Sequence, residues 1–89
     1  MKHYMVVVEH TPDECLRTMD ELAHNAPELL EQFWFGGIAG EHKGWVIVDA
    51  DSEQDALEKL PPALRENADV VPVRRYTAHS VRALHRMAA

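Results

Sequence analysis

Four acid–base side chains stand where apolar segments of this sequence end, and they could take and return protons. Glu9 and His10 follow the first apolar run, His42 lies in the turn before the third run, and Asp49 ends that third run. Carboxylates and imidazoles are the usual groups of general acid–base catalysis. These four are therefore the candidate catalytic residues, and Asp49 leads them because it is predicted to share a strand face with apolar neighbours.

Each candidate also has a purely structural interpretation. Asp49, with Asp51 and Ser52, fits a turn from a strand into a helix, where carboxylates accept hydrogen bonds from backbone N–H groups. His42 fits an exposed turn. For Asp49 and for His42, the sequence leaves both the catalytic and the structural interpretation open.

A small, largely apolar ligand would need flat apolar walls and close approach to the backbone. Trp34 and Trp45 offer such walls, although they would serve equally in a core or a dimer interface. Gly36 and Gly37 lack side chains within an apolar segment, which indicates a bulge or a close approach by a helix, a partner chain or a ligand. Tyr4 could donate its hydroxyl to a ligand carbonyl. These five residues are the candidate ligand-binding set.

The sequence predicts no metal site and no cofactor. Its six histidines show no His-x-His or His-x-x-x-His spacing, and a site built from distant residues such as His3, His10 and Glu9 stays open. Cys15 is the only cysteine, so no internal disulfide can form. Cys15 belongs to a stripe of apolar residues at helical spacing, which predicts that it is buried and packs as a small hydrophobic side chain.

Composition narrows the class of protein. The 89 residues make one domain, 46% hydrophobic and 27% charged, which is ordinary for a folded chain without a membrane span. A net charge of −6 disfavours nucleic acid as a partner. Residues 74–89 carry four arginines and no acid (+4), which leaves −10 for residues 1–73. No signal peptide is recognised, so we expect a cytoplasmic protein.

The elements that must position these residues begin with a central strand over 3–9. Thr11 then caps a helix, with Pro12 at its first position and Glu14 placed to complete a capping box. Pro27 should end this helix near His24 and Asn25. Its predicted buried stripe is Cys15, Leu16, Met19, Leu22, Ala23 and Ala26.

Two apolar runs across residues 33–50 predict a β-hairpin with its turn at Glu41–Gly44. In that register the cross-strand pairs are Gly40 with Trp45, Ile38 with Ile47, and Gly36 with Asp49. Both faces of the hairpin are mostly apolar, which favours a sheet covered on both sides.

After the hairpin, Ser52 lies in a capping segment for a short helix that ends at Pro61–Pro62. One helical turn is predicted around Leu64. A last strand follows over 69–76, and Pro72 places it at a sheet edge or bulge because proline lacks the N–H for a ladder bond. A helix capped by Thr77 closes the chain.

The order of elements is that of an α+β, ferredoxin-like βαββαβ domain over residues 1–89, with a core at 1–76 and a C-terminal helix at 77–89. Its helices would cover one face of a four-stranded antiparallel sheet. The other face is apolar too, so we expect a homodimer in which two sheets face each other as a dimeric α+β barrel.

Several segments resemble muconolactone isomerases. They are Ile38-Ala39-Gly40, His42, the Val-rich strand ending in Asp49, Ser52-x-x-x-Ala56-Leu57, and Leu60-Pro61. The resemblance spans residues 1–76 and implies a homodimeric isomerase that transfers a proton on a small cyclic metabolite without a cofactor. The alternative is a non-catalytic dimeric binding or interaction module.

Overall fold

A computed structural model describes residues 2–88 as an α+β domain with one four-stranded antiparallel sheet. The strands are β1 (Lys2–Glu9), β2 (Trp34–Phe35), β3 (Lys43–Ala50) and β4 (Ala68–Val73), in the spatial order β2-β3-β1-β4. The helices are α1 (Cys15–Asn25), α2 (Pro27–Leu30), α3 (Glu53–Glu58), α4 (Pro62–Arg65) and α5 (Ala78–Ala88). The predicted central position of β1 is confirmed.

The hydrophobic core lies between one face of the sheet and the helices. Alternate residues of β1 point into it, because successive side chains of a strand face opposite sides. Val6 and Val8 are almost fully buried there, and Val46 of β3 lies beside them. The helices add the buried side chains of Leu22, Ala56 and Leu64, and the connection between α3 and α4 adds Leu60.

Helix α1 begins and ends as its capping residues predict. The Glu14 carboxylate accepts hydrogen bonds from the Thr11 N–H at 3.0 Å and the Thr11 hydroxyl at 2.9 Å, after which a 3₁₀ turn over Pro12–Glu14 leads into the helix. These bonds lower the pKa of Glu14. The helix ends at Asn25, and α2 begins at Pro27.

The predicted buried stripe of α1 is only partly right. Leu22 is buried, but Leu16 is 70% exposed and Ala23 is exposed. Thr18 is buried instead. The helix meets the sheet along the side that carries Thr18 and Leu22, which turns Leu16 toward the surface.

The predicted hairpin register is wrong. β2 contains two residues, and its pairs are Trp34 with Trp45 and Phe35 with Gly44. The chain then turns over Gly37–Ala39, because the Gly36 carbonyl accepts hydrogen bonds from the N–H groups of both Ala39 and Glu41. Gly36, Ile38 and Gly40 therefore do not form their predicted cross-strand pairs with Asp49, Ile47 and Trp45.

The second half follows the sequence prediction closely. β4 lies at the sheet edge, as Pro72 requires, but it ends at Val73 rather than Tyr76. α4 is the expected single turn around Leu64. Thr77 caps α5 by accepting the Ser80 N–H at 3.0 Å, yet none of the described residues of α5 is buried. Within residues 2–88, no helix has the length and apolarity needed to cross a membrane.

Within residues 2–88, no helix covers the second face of the sheet, which is here called the open face. It presents Met5, Val7, Trp34, Trp45, Ile47, Val71 and Val73. Trp34 is 78% exposed and Ile47 is 50% exposed. A contiguous apolar surface of this kind on a small domain indicates a surface that another molecule covers.

Replacing Ser52 with Ala should weaken the start of α3. The Ser52 hydroxyl accepts the Asp55 N–H at 3.1 Å, and loss of such a cap costs about 1 kcal/mol. Urea unfolding at fixed protein concentration measures the change. Ser52→Asp is the control, because aspartate also caps; equal stability of Ser52→Ala and the wild type would contradict the role of this cap.

Candidate functional site

Two groups of polar side chains lie at opposite ends and on opposite faces of the sheet. The first is built around His3 and Asp49, which are paired directly across β1 and β3. Their side chains are in contact, from His3 Nδ1 to Asp49 Oδ1. Both side chains are more than half exposed on the open face.

A hollow of about 560 Å³ adjoins the His3–Asp49 pair. Its walls are His3, Met5, Ile47, Val73, Arg74 and Arg75. Val73 lies opposite His3 in β4, so the two arginines that follow it come to the same end of the open face. The hollow has the size of a small-molecule site, with apolar walls and a few charged groups at one end. We refer to it as the open-face hollow.

The chemistry of this group is that of an oriented base beside two cations. An imidazole held by a carboxylate has one ring nitrogen fixed and the other available to take a proton. Guanidinium groups are permanent cations that donate hydrogen bonds to oxygen anions. The open-face hollow therefore combines a proton acceptor with groups suited to a developing negative oxygen.

The second group consists of His10, Cys15 and His42 and lies on the helix side of the sheet. The pairing of Glu9 with Lys43 places His10, just after β1, beside His42, just before β3. The His10 N–H donates to the His42 carbonyl at 3.0 Å and fixes this arrangement.

His10, Cys15 and His42 are brought within reach of one another in a largely buried setting. His10 is 8% exposed, and its Nε2 lies 3.2 Å from Cys15 Sγ. The ring centroids of His10 and His42 are 6.3 Å apart. Within residues 2–88, Nδ1 of each ring is buried without a hydrogen-bond partner. Burial lowers the pKa of His10, and His42 lowers it further against an opposing effect of Glu14, which favours the neutral ring.

A pocket of about 400 Å³ opens beside this group. It is lined by Cys15, Met19, Phe35, Gly37, Ile38 and His42, and we refer to it as the His42 pocket. Its walls are mostly apolar, so the thiol and the imidazole are the groups that could hold a polar atom there.

The structure separates the four predicted catalytic residues. His10 and His42 lie together, and exposed Glu9 borders a surface hollow beside His10. Asp49 lies at the other end of the sheet with His3. His3 and His10 are seven residues apart, so at about 3.3 Å per residue of extended strand their backbones are separated by about 23 Å. No single site can contain all four.

The predicted ligand-binding residues are also dispersed. Tyr4 is buried in the core, whereas Trp34 and Trp45 lie on the open face. Gly36 is closely approached by its own loop, since an added Cβ would lie 2.9 Å from the Glu41 carbonyl oxygen. Gly37 is approached by Cys15 and lines the His42 pocket.

Gly36→Ala should destabilise the fold by about 1–3 kcal/mol, the usual cost of overpacking. The new methyl would also meet Glu41 Cβ at 2.8 Å and Trp45 Cζ3 at 3.0 Å, and the backbone atoms cannot yield cheaply. The neighbouring Gly37→Ala is the control, because its methyl would lie 3.5 Å from Cys15 Sγ, an ordinary contact. Thermal or urea unfolding that ranks the two variants equally would contradict this account.

Four residues of these groups are not among the functional candidates from the sequence: His3, Arg74, Arg75 and Cys15. The two arginines reach the open-face hollow because β4 ends at Val73, opposite His3. The sequence indicates His3 only as a possible ligand of a metal site built from distant residues, since its contact with Asp49 depends on the β1–β3 register. The helical stripe predicts that Cys15 is a buried hydrophobic side chain, yet Cys15 lies five residues after His10, across a turn that returns the chain toward the strand end. That spacing around a capping box was the available signal.

Comparison of the chain with protein-family models, curated proteins and solved structures finds no match.

Proposed function

We propose that this protein is a small-molecule-binding homodimer that transfers a proton on a small cyclic metabolite bound in the open-face hollow. The contact between His3 and Asp49, beside an apolar wall and two arginines, carries the proposal. It agrees with the isomerase activity that the resemblance to muconolactone isomerases implies. The proposed fold is ferredoxin-like, supported by the order β2-β3-β1-β4 and by helical connections from β1 to β2 and from β3 to β4.

A second copy of the chain is the proposed cover of the open face. Apolar residues dominate this face, and homodimer interfaces are the most apolar of protein interfaces. Charge supports a like partner as well, because residues 74–89 carry +4 whereas residues 1–73 carry −10. The amphipathic helix α5 leaves Val81, Leu84 and Met87 exposed on its own domain. It would pack across the acidic surface of the partner.

The proposed reaction moves one proton and breaks no other σ bond. A His3 ring nitrogen takes a proton from a ring carbon next to a carbonyl, and the electron pair shifts to form an enolate. Arg74 and Arg75 donate hydrogen bonds to the enolate oxygen while Asp49 stabilises the imidazolium. The imidazolium then returns a proton to a different carbon, so the product is an isomer of the substrate. The partner's cover would exclude water from the hollow.

Proton transfer of this kind incorporates deuterium from D₂O. The probe is α-angelica lactone, an unsaturated five-membered lactone, incubated with chelator-treated protein and followed by ¹H NMR. We expect the wild type to accelerate exchange and isomerisation over buffer. His3→Gln should reduce the enzymatic rate by at least about 100-fold, since a positioned acid–base group contributes 10²–10⁴.

Matched controls separate the site from general surface effects. Asp69 is an exposed acid on the open face and His24 an exposed histidine on α1, so Asp69→Asn and His24→Gln should keep the wild-type rate. The proposed reaction would be overturned if the wild type exchanges deuterium no faster than buffer alone. It would also be overturned if His3→Gln exchanges deuterium as fast as the wild type. A wild-type protein that forms a dimer but does not accelerate exchange would favour the non-catalytic binding module.

A further inference from the structure

We propose that His10, Cys15 and His42 bind a transition-metal ion of the class that prefers thiolate and imidazole ligands, with Zn²⁺ as its representative. Each residue offers one ligand atom, and these atoms lie within 4.8 Å of one another. The site lies on the helix side of the sheet, far from the open-face hollow, so this inference does not rest on the proposed reaction.

The donor set selects the class of metal. A thiolate sulfur and two neutral imidazoles suit Zn²⁺, Co²⁺ and copper, whereas Mg²⁺ and Ca²⁺ require oxygen ligands. Binding would displace the thiol proton, giving a metal–thiolate bond and one proton released to solvent.

The geometry needs only a small closure around the ion. Zinc lies about 2.0–2.1 Å from nitrogen and about 2.3 Å from sulfur, so ligand atoms in a tetrahedral site are roughly 3.3–3.6 Å apart. His10 Nε2 and Cys15 Sγ are already 3.2 Å apart. The half-buried His42 would close the remaining gap of about 1 Å by rotation of its side chain.

Two further observations point to a ligand in this place. The buried Nδ1 of His42 has no hydrogen-bond partner within residues 2–88, and such groups in native proteins usually have one. His10 is also more than nine-tenths buried, with Nε2 directed at the thiol. Three protein ligands leave a fourth position, and the adjoining His42 pocket supplies space for a water or small molecule there.

Cobalt provides the direct test, because Co²⁺ substitutes for Zn²⁺ and shows its ligands in the visible and near-ultraviolet spectrum. Reduced protein without an affinity tag is titrated with Co²⁺, followed by Zn²⁺. We expect one Co²⁺ per chain, intense d–d bands of a four-coordinate ion, and a thiolate-to-cobalt charge-transfer band. One equivalent of Zn²⁺ should remove all of these bands.

Cys15→Ser should abolish the charge-transfer band and weaken Zn²⁺ binding by at least about 100-fold. His42→Asn should weaken binding similarly, and the exposed His24→Asn and His79→Asn should bind as the wild type does. Circular dichroism of each variant separates loss of a ligand from loss of the fold.

A second measurement uses the single thiol. Zn²⁺ should slow alkylation of Cys15 by iodoacetamide in the wild type at least about tenfold, with chelator restoring the rate. A Co²⁺ spectrum without a thiolate band, or Zn²⁺ binding that Cys15→Ser leaves unchanged, would overturn the site. Equal alkylation with and without Zn²⁺ would do the same.

Discussion

Replacing Ile47 with Lys is expected to convert the proposed homodimer into a monomer. Ile47 lies near the middle of the open face, paired with Met5, and is 50% exposed in the single chain. In a two-fold dimer each substitution places one uncompensated charge in an apolar interface, at a cost of about 3–5 kcal/mol each. The dissociation constant should therefore rise by more than about 1,000-fold.

Sedimentation equilibrium over a range of concentrations measures this effect. The wild type should have twice the chain mass of 10.1 kDa, and Ile47→Lys the mass of one chain. Leu16→Lys is the control, because Leu16 is an equally apolar and more exposed residue on α1, away from the open face. A wild type that stays monomeric at high concentration would contradict the dimer.

The same variant connects assembly to the proposed reaction. Ile47 is a wall of the open-face hollow, and the partner chain is its proposed cover. A monomer would leave the His3–Asp49 contact in water, where hydrogen bonds to a developing enolate are weaker than in a closed site. We therefore expect Ile47→Lys to lose lactone exchange together with the dimer, while Leu16→Lys keeps both.

Local signals in the sequence predicted most of the element boundaries. Thr11, Pro12 and Glu14 define the start of α1 through hydrogen bonds within four residues, and Pro27 ends it by steric exclusion. Pro72 placed β4 at an edge for an equally local reason, its missing N–H. Such features depend on covalent structure and on neighbours in the chain, so one sequence is sufficient to read them.

The hairpin register depended on interactions that the sequence does not display. Residues 36–40 are all small or apolar and continue the apolar run of β2, but two N–H groups of the following turn converge on the Gly36 carbonyl. The turn is also stabilised by Gly40 in the left-handed region, at φ +84°. The sequence pattern cannot distinguish this compact turn from an extended strand, because glycine fits either conformation.

Both candidate sites depend on strand register as well. His3 meets Asp49, and His10 meets His42, only because β1 and β3 pair with a particular offset. A shift of one residue would move each of these side chains to the other face. Polar residues at strand ends were identifiable from the sequence, but which of them meet was decided by the pairing.

Leu22→Ala is expected to destabilise the protein by about 2–5 kcal/mol, because it removes a fully buried side chain and leaves a cavity between α1 and the sheet. Small domains have only about 5–15 kcal/mol of stability, so this one change would remove a large part of it. Leu16→Ala on the same helix removes the same atoms from a surface position and should change stability by no more than about 0.5 kcal/mol.

Urea unfolding of both variants at one fixed protein concentration tests the orientation of α1, since the concentration dependence of a dimer then cancels from the comparison. The amphipathic pattern of α1 alone predicts large losses for Leu16 and Leu22 alike, whereas packing along Thr18 and Leu22 predicts a loss for Leu22 only. Equal destabilisation would mean that α1 is rotated relative to the sheet. Because Cys15 adjoins Leu16 on this helix, such a rotation would also move Cys15 Sγ away from His10 Nε2 and remove the proposed metal site.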